Sequence, residues 1–469
     1  MNFSHRCALS SQTYKIRTPR TMEFQKNRNL AQNPLPLYFL YDLAVRLASV
    51  FLHIPAVFSP KIRSFLRGRR GVKAYLESFR EPGRPLIWMH TASLGEFEQG
   101  LPVLERLMAA YPGHQFLVTF FSPSGYEVKK GKVPGAGTCY LPLDTRQNVR
   151  EFLDGARPDI ALFVKYEVWP NFFAGLRSRD IPLVLFSARF RERQVFFQWY
   201  GGLMRRALQG VRQFYVQDPL SASLLNGIGI HRIAVCGDTR LDRVMEIRSR
   251  DNRLDFMEAF VKGRKCLVAG STWPEDEKAI LPFVRARAGA TCCAVIAPHK
   301  TDSKTVGELM KRLGSGAVTY SEWSKRLEEA GGLASGKSGD TPREPGLPAG
   351  ENILVIDTIG LLTRIYSYAD LAYVGGGFAT GLHNTLEPAV FGIPVLIGPR
   401  YAGFREAEAL VEAGGILPVA GPLEFEETAG KLLDNATYRR QIGAINRDYI
   451  DKNAGASIQI LAGIRKLIG

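Results

Sequence analysis

Short apolar runs alternate with helical patterns along the chain from about residue 80 to its end. In the first half the candidate strands are 86–89, 116–120, 160–164, 183–186, 213–216 and 233–235. In the second half they are 266–269, 294–297, 317–320, 353–356, 371–374 and 394–397. Strands that alternate with helices build parallel sheets covered by helices on both faces. The pattern therefore predicts an α/β protein with two doubly wound, Rossmann-like domains that face each other across a ligand-binding cleft.

The junction between the two sets is expected near residues 240–262, where the pattern turns polar and helical. We therefore predict a first domain at 61–245 and a second domain at 246–469. The last stretch, 423–468, has a helical pattern and is expected to cross back to the first domain. Residues 329–350 are rich in Gly, Ser and Pro and lack a hydrophobic period, which predicts a flexible surface insertion.

The N-terminal region divides into a polar extension and an apolar helix. Residues 1–33 are polar and basic and are predicted to be disordered; no small-residue cleavage site follows an apolar run, so a signal peptide is not expected. Residues 34–60 are predicted to form a membrane-associated helix, because 35–58 is mostly apolar and as long as a bilayer span. A polar stripe at helical spacing predicts that this helix lies at the membrane interface and not in the membrane centre. The stripe consists of Asp42, Arg46, Ser49 and His53. A helix packed on its own domain and a single membrane span remain alternatives.

The charge balance points to an anionic partner. The 469 residues carry 61 Lys and Arg against 45 Asp and Glu, a formal net charge of +16. This excess suits nucleic acid, an anionic membrane surface or a phosphorylated substrate. Nucleic acid is not expected, because neither zinc-finger spacing nor an aromatic ribonucleoprotein signature is present. A membrane surface is favoured by basic residues that follow the apolar helix and could hold lipid headgroups: Lys61, Arg63, Arg67, Arg69, Arg70 and Lys73.

Several kinds of chemistry are excluded by missing motifs. The six cysteines form no C-x-x-C pair, which predicts buried, reduced thiols. The seven histidines are scattered and form no H-E-x-x-H motif, so we expect no metal site with dedicated protein ligands and no cofactor. There is no G-x-S-x-G elbow, which argues against a serine hydrolase.

Three glycines follow the candidate strand 371–374, and a short loop then leads to His383, Asn384 and Glu387. Glycines such as Gly376 let the backbone approach a ligand, and free N–H groups at a helix start bind phosphate. The Glu387 carboxylate could accept two hydrogen bonds from a ribose. Asn384 and Glu387 also fit a capping box, which binds nothing. Because βαβ repeats place ligands at the carboxyl ends of strands, we interpret the segment as half of a nucleotide-sugar site.

Three other strand ends in the second half carry candidate ligand-binding residues. The first suits phosphate contact through backbone N–H groups, or is a plain helix start. The second ends in a histidine followed by a lysine, a pair suited to phosphate. The third could hold a base edge with its backbone, or is a turn. The first strand end has Gly270, Ser271 and Thr272, the second has His299 and Lys300, and the third has Ile359 and Gly360.

Two strand ends in the first half carry candidate acid–base residues. Ser93 and Glu96 match a capping box, but Gly95 permits close approach and Glu96 could act as a general base toward an acceptor hydroxyl. Lys165 and Glu167 follow the third strand within a dense polar and aromatic cluster. They form either a structural salt bridge or part of an acceptor-binding wall in which Glu167 orients hydroxyl groups.

Taken together, these motifs resemble those of the 3-deoxy-D-manno-octulosonic acid (Kdo) transferases, which build lipopolysaccharide in Gram-negative bacteria. The resemblance covers roughly residues 38–465 and depends on five motifs in the family's order: Ser93-Leu-Gly-Glu96, Lys165-Tyr-Glu-Val-Trp-Pro170, Gly270-Ser-Thr272, Pro298-His299 and His383-Asn-Thr-Leu-Glu-Pro388. It implies a GT-B fold, CMP-Kdo as the donor and a lipid A precursor, lipid IVA, as the acceptor. It also implies inverting, metal-independent transfer at the cytoplasmic face of the inner membrane.

The resemblance further implies a role for individual residues. Glu96 would deprotonate the acceptor hydroxyl, and Glu167 would be a second carboxylate on the acceptor side. The CMP moiety would be bound by Ser271, His299, Gly360, Asn384 and Glu387. Lys300 and the insertion at 329–350 depart from the family pattern. Two rival interpretations remain: another GT-B protein, such as a UDP-sugar transferase or epimerase, and a membrane-docked binding protein without turnover.

Overall fold

Two parallel sheets form the framework of the protein. The computed structural model describes residues 35–329, 350–379 and 381–468. The first sheet has the order β3-β2-β1-β4-β5-β6-β7, with β1 Leu86–Thr91, β2 Gln115–Phe120, β3 Gly137–Tyr140, β4 Ile160–Val164, β5 Leu183–Ala188, β6 Gln213–Val216 and β7 Ile233–Val235. The second has the order β10-β11-β9-β8-β12-β13-β14, with β8 Lys265–Thr272, β9 Cys292–Pro298, β10 Ala317–Thr319, β11 Ile353–Val355, β12 Leu371–Val374, β13 Val395–Ile397 and β14 Ile416–Pro418.

Helices connect the strands and cover both sheets. Up to the start of the second sheet they are α1 Leu35–Phe51, α2 His53–Ala56, α3 Pro60–Arg67, α4 Val72–Phe79, α5 Leu94–Ala110, α6 Pro123–Lys129, α7 Arg146–Ala156, α8 Pro170–Arg177, α9 Gly202–Leu208, α10 Pro219–Gly227, α11 Thr239–Ser249 and α12 Asp255–Val261. The others are α13 Pro274–Arg287, α14 Ser303–Leu313, α15 Tyr320–Glu329, α16 Leu362–Ile365, α17 Leu386–Ala389, α18 Arg405–Glu412, α19 Pro422–Asp434, α20 Ala436–Asn453 and α21 Ala456–Ile468. Several begin where a side-chain oxygen accepts a first-turn N–H, as at Thr145, Asp218 and Asp302.

The predicted α/β class, with two doubly wound parallel sheets, is confirmed. All the candidate strands are present, within one to three residues of the expected bounds. The two strands that the apolar pattern missed, β3 and β14, are the edge strands at opposite ends of the two sheets. Both are short, and an edge strand has only one paired neighbour, so neither carries the continuous apolar run of a central strand.

The core is built on both faces of each sheet. All six residues of β1 are buried, and successive side chains enter different layers: Leu86 and Trp88 join one apolar cluster, whereas Ile87 and Met89 join another. In β8, Cys266 packs on one face. Burial on both faces explains why these strands have continuous apolar sequences instead of alternation.

Helices α11 and α21 link the two halves of the chain. The Asp242 carboxylate on α11 accepts hydrogen bonds from the backbone N–H groups of Gly455 (2.7 Å) and Ser457 (2.9 Å) at the start of α21. Arg106 on α5 donates to the Ser457 hydroxyl at 2.9 Å. Helix α21 thus lies against the layer of the first sheet.

The domain bounds at 61–245 and 246–469 stay a prediction. The predicted extension 1–33 and nearly all of the predicted insertion 329–350 lie outside the described residues.

The apolar N-terminal segment forms α1 and α2, and its polar stripe meets the protein at one end. Asp42 is buried, accepts a hydrogen bond from the Arg146 backbone N–H at 2.6 Å and pairs with Arg46 at 2.8 Å. Tyr41 donates to the Asp144 carboxylate at 2.9 Å. Residues Leu37–Ala56 form a helical stretch with mean hydropathy 1.5, long and apolar enough to cross a membrane.

The side of this segment that faces away from the protein is apolar. Its exposed large side chains are Leu37, Phe39, Leu40, Leu43, Leu47, Val50, Phe51, Ile54, Val57 and Phe58. The polar residue Asp42 therefore faces the first domain, and the surface left for another partner is hydrocarbon. A contiguous apolar surface of this kind marks an interaction site.

Candidate active site

Three residues other than glycine have left-handed backbone conformations at the carboxyl ends of strands. Their φ angles are 61° for Lys165 after β4, 52° for Ser187 on β5 and 54° for Ser271 on β8. Such conformations are costly for residues with a Cβ, and in structures they cluster at functional sites. Two of these three residues are candidates from the sequence. Ser187 was missed, because nothing in its local sequence indicates a left-handed conformation.

Glu96 is held at the start of α5. The Ser93 hydroxyl accepts the Glu96 backbone N–H at 3.4 Å, and the Glu96 carboxylate accepts the Ala92 backbone N–H at 2.5 Å. Glu96 is only 7% exposed. Burial raises its pKa, against the opposing effects of the Ala92 N–H and the Lys165 charge. A side chain at Gly95 would meet nothing within 4 Å, so open space lies at the neighbouring position on the first turn of α5. The Glu96 side chain therefore helps to cap the start of α5 and is also the candidate base.

Glu167 and Lys165 lie near Glu96. Burial and the neighbouring Glu96 charge raise the pKa of Glu167 to about 7, whereas Lys165 lowers it. The described residues contain no direct ion pair between Lys165 and Glu167, so the simple salt-bridge alternative is wrong. Two neighbouring carboxyl groups whose pKa values are both raised, beside one ammonium group, are suited to accept a proton from a hydroxyl.

An aromatic wall, formed by Phe121, Trp169 and His90, borders the carboxylates. The ring centroids of Phe121 and Trp169 are 4.6 Å apart, and those of His90 and Trp169 are 6.4 Å apart. His90 Nδ1 lies 2.9 Å from the Thr119 hydroxyl, and burial lowers the pKa of His90 to about 3, so its ring is neutral. The sequence analysis assigned no role to His90.

Arg69 anchors the N-terminal helices to this wall. Its guanidinium donates to the backbone carbonyls of Phe65 (2.6 Å), Phe121 (2.6 Å) and Leu141 (2.9 Å), and it lies 3.7 Å from the Phe65 ring centroid. The sequence placed Arg69 among the residues that hold lipid headgroups. Because its donors are occupied by carbonyls within the protein, we remove it from that group.

In the second domain Asp276 organises the loop after β12. This fully buried carboxylate accepts hydrogen bonds from the backbone N–H groups of Trp273 (2.9 Å), Gly376 (2.8 Å) and Phe378 (3.3 Å), and from the Tyr373 hydroxyl at 2.7 Å. The Gly376 N–H is therefore used inside the protein. A lone aspartate in the first turn of α13 gives no sequence signal for this role, which depends on strand pairing of β8 with β12.

The glycines of this region serve close packing. A Cβ at Gly376 would collide with the Gly381 carbonyl oxygen, and one at Gly270 would collide with the Tyr366 hydroxyl. Thr272 is buried and donates to the Glu277 carboxylate at 3.1 Å, so its side chain faces the protein. Close packing therefore explains the glycines at 270 and 376, and a hydrogen bond within the protein explains Thr272. The contact of these three residues with a ligand stays a prediction.

Three aromatic rings and a lysine gather at the neighbouring strand ends. The His299 ring stacks on Trp273 with centroids 4.4 Å apart and on His383 with centroids 4.6 Å apart. Lys300 Nζ lies 5.7 Å from the Trp273 ring centroid. Burial lowers the pKa of His299, and Lys300 lowers it further. His299 and Lys300 were both singled out from the sequence, and the structure brings them together with His383.

Asn384 and Glu387 interact with each other at the start of α17. Asn384 Nδ2 donates to the Glu387 carboxylate at 3.0 Å, and Asn384 Oδ1 accepts the Leu386 N–H at 3.2 Å. Burial, helped by the Glu98 charge, raises the pKa of Glu387 to about 7 against the lowering effects of the Asn384 hydrogen bond and the Arg243 charge. Glu98 lies two residues after Glu96 on α5. The Glu387 carboxyl is therefore within electrostatic reach of α5, the helix that carries the candidate base.

The loop after β11 differs from these clusters. The Ile359 side chain is 87% exposed, and Gly360 has a φ of 99°, which favours glycine in a turn. These features fit the alternative of a turn. The contact of this loop with a nucleotide base stays a prediction.

Comparison with known proteins agrees with the motifs. Residues 66–243 match the sequence model of the family described as 3-Deoxy-D-manno-octulosonic-acid transferase (kdotransferase). The 3-deoxy-D-manno-octulosonic acid transferase of Bordetella pertussis is 28% identical over 411 residues, covering 86% of this chain and 91% of the relative. That of Haemophilus influenzae is 25% identical over 427 residues, covering 88% and 93%. The crystal structure of UDP-GlcNAc 2-epimerase from Neisseria meningitidis bound to UDP-GlcNAc superposes with a TM-score of 0.57 at 15% identity, covering 81% of this chain and 100% of that one.

The two seven-stranded parallel sheets with their helices have the GT-B-like fold, and the match to the transferase model together with the curated transferase relatives supports a glycosyltransferase. The chain thus carries the 3-deoxy-D-manno-octulosonic acid transferase model over residues 66–243 and is similar over most of its length to curated transferases of that family, which acts in lipopolysaccharide biosynthesis. The family implies a Kdo donor and an acceptor of the lipid A type.

Proposed function

We propose that this protein transfers Kdo from CMP-Kdo to a hydroxyl group of a lipid A precursor, lipid IVA, with inversion and without a metal ion. The observation that carries the proposal is the buried Glu96 carboxylate at the start of α5, with the donor-side Glu387 within electrostatic reach of Glu98 on the same helix. An acceptor hydroxyl beside Gly95 would then lie between a base and a nucleotide-binding loop.

On the acceptor side, Glu96 takes the proton from the hydroxyl as its oxygen attacks the anomeric carbon of Kdo. The new bond forms on the face opposite the phosphate, so the configuration inverts, and CMP leaves with the electron pair of the broken carbon–oxygen bond. Burial raises the pKa of Glu96 and so strengthens it as a base, and the Glu96 charge raises the pKa of the neighbouring Glu167. Lys165 and Ser93 hold this end of the site.

On the donor side, the leaving group is a nucleoside monophosphate. The Lys300 ammonium and the backbone N–H groups near Ser271 supply positive potential where the phosphate would lie, and His299 offers a neutral ring beside them. Preorganised donors of this kind stabilise charge that develops on a leaving group. Asn384 and Glu387 would hold the ribose hydroxyls, with the Asn384 amide fixing the carboxylate.

The test is incubation with CMP-Kdo and a tetraacylated lipid A precursor, followed by mass analysis of the lipid. We expect the acceptor mass to rise by one or more Kdo residues, and CMP to raise the melting temperature more than UDP does. Protection by UDP but not CMP, without a Kdo-modified lipid, would instead support another GT-B enzyme. Binding of both substrates without product would support the membrane-docked binding protein.

The exposed apolar face of α1 and α2 fits attachment to the cytoplasmic face of the inner membrane. Phe51 and Phe58 are both mostly exposed, Phe58 at 84%. Arg67 and Arg70 follow them and can attract anionic headgroups, whereas the Arg63 guanidinium donates to the Ala56 and Val57 carbonyls. We propose that this face lies in the membrane interface, with the Asp42 side turned to the protein.

Changing Phe51 and Phe58 together to glutamate is expected to lower binding to vesicles of anionic phospholipid at least tenfold. Burying one phenylalanine side chain contributes about 1.5–3 kcal/mol, so two lost anchors exceed that factor. Co-sedimentation of the full chain with vesicles measures the effect. Leu423→Glu is the matched control, because Leu423 is equally exposed but lies on α19 of the second sheet's layer. Equal binding by the double variant and the wild type would contradict the assignment of this face.

A further inference from the structure

A hydrogen bond between two side chains fixes the chemistry of His383. The Trp273 indole N–H donates to His383 Nε2 at 3.2 Å. An indole N–H can only donate, so the accepting nitrogen carries no proton. The proton of the neutral His383 ring is then on Nδ1, and protonation of Nε2 would require this hydrogen bond to break.

The surroundings hold both rings in this arrangement. The Trp273 backbone N–H is bound by Asp276 at 2.9 Å, and the His383 backbone N–H donates to the Gly375 carbonyl at 3.1 Å. Among the charged and titratable groups that face His383, His299 lowers its pKa and Asp276 raises it, and burial has the largest, lowering effect. Lys300 lies beside the Trp273 ring. A neutral ring is thus favoured at physiological pH.

We infer that Trp273 is a positioning residue that holds His383 as its Nδ1–H tautomer, so that His383 donates a hydrogen bond to the phosphate of the nucleoside monophosphate donor. This inference rests on the proposed function. The opposite tautomer would turn a lone pair toward an anion, which repels it. His383 also lies in the same stack as His299 and next to Lys300, where the proposed phosphate site falls.

Trp273→Phe tests the inference, because phenylalanine keeps an aromatic ring against His299 but has no N–H. Histidine-selective nitrogen NMR of the full chain, with His383→Gln to identify the resonance, reports the tautomer and the pH at which the ring titrates. In the wild type we expect the Nδ1–H form. In Trp273→Phe we expect a mixture of both tautomers, protonation at a higher pH, and CMP binding weakened about tenfold or more, the usual loss for a hydrogen bond to a charged group.

Trp323→Phe is the matched control in the same domain. The Trp323 indole N–H also makes one hydrogen bond, to the Phe256 carbonyl at 3.2 Å, and its ring packs on Phe260. This variant should leave the His383 tautomer and CMP affinity unchanged. An Nε2–H tautomer in the wild type, or a Trp273→Phe variant with the wild-type tautomer and CMP affinity, would overturn the inference. If the wild type binds no CMP, the proposed function fails, whereas the tautomer of the ligand-free protein still decides the role of Trp273.

Discussion

Replacing Glu96 with glutamine is expected to lower the rate of Kdo transfer by about 10²–10⁴-fold, the usual contribution of a positioned general base. Glutamine has nearly the same shape, and its carbonyl oxygen can still accept the Ala92 N–H, so the start of α5 is kept. It cannot accept a proton from the acceptor hydroxyl. The loss should therefore appear in turnover with saturating CMP-Kdo, while CMP affinity stays at the wild-type value.

The stability of this variant should move in the opposite direction from its activity. Burial raises the pKa of Glu96 in the folded protein. A carboxyl group with a raised folded-state pKa destabilises the fold above that pKa, and the cost vanishes below the unfolded-state pKa. Because glutamine does not ionise, Glu96→Gln at neutral pH should be at least as stable as the wild type, and this is measured by thermal unfolding.

A control on the same helix separates this effect from a general disturbance. Glu105 is more exposed, and Glu105→Gln makes the same chemical change further along α5. We expect this control to retain wild-type turnover. Wild-type turnover by Glu96→Gln would remove Glu96 from the mechanism, and a lowered melting temperature with lost CMP binding would assign it to the cap alone.

The fold followed from the sequence because central parallel strands are buried on both faces. Runs such as 160–164 and 371–374 are apolar throughout, and their observed bounds match the expected ones. The same argument explains the misses. Gly137–Tyr140 and Ile416–Pro418 are edge strands that owe their conformation to a neighbouring strand, which a local apolar pattern does not contain.

The candidate site was predicted where its residues directly follow strands. Glu96, Glu167 and His299 could be found this way, because parallel strands end at one edge of a sheet. The supporting residues could not. Asp276 and Arg69 act through contacts between segments distant in sequence, and their local sequences resemble an ordinary helix start and a basic surface stretch. Glycines 375–377 permit close backbone packing, which a local sequence does not show, and the approach of a ligand to them stays a prediction.

The buried Asp276 makes a second large effect testable. Asp276→Asn is expected to lower the free energy of unfolding of the second domain by about 3 kcal/mol. The asparagine NH₂ group would face N–H and O–H groups of the protein, which need an acceptor. The carboxylate accepts hydrogen bonds from Trp273, Tyr373, Gly376 and Phe378, and one asparagine oxygen cannot replace both carboxylate oxygens. Denaturant unfolding, followed by the fluorescence of the tryptophans, measures this loss.

The same variant should also lose donor binding, because Asp276 joins the loop after β12 to the start of α13. Without that link, His383 and Trp273 are no longer held at their observed separation, and CMP affinity should fall at least tenfold. Asp302→Asn is the control: this exposed cap of α14 accepts the Thr305 backbone N–H at 3.0 Å, and because asparagine caps a helix about as well as aspartate, the variant should keep nearly wild-type stability and unchanged CMP affinity. If Asp276→Asn behaved like Asp302→Asn in both measurements, the buried carboxylate would not organise the donor loop, and the stacked rings would have to be held by packing alone.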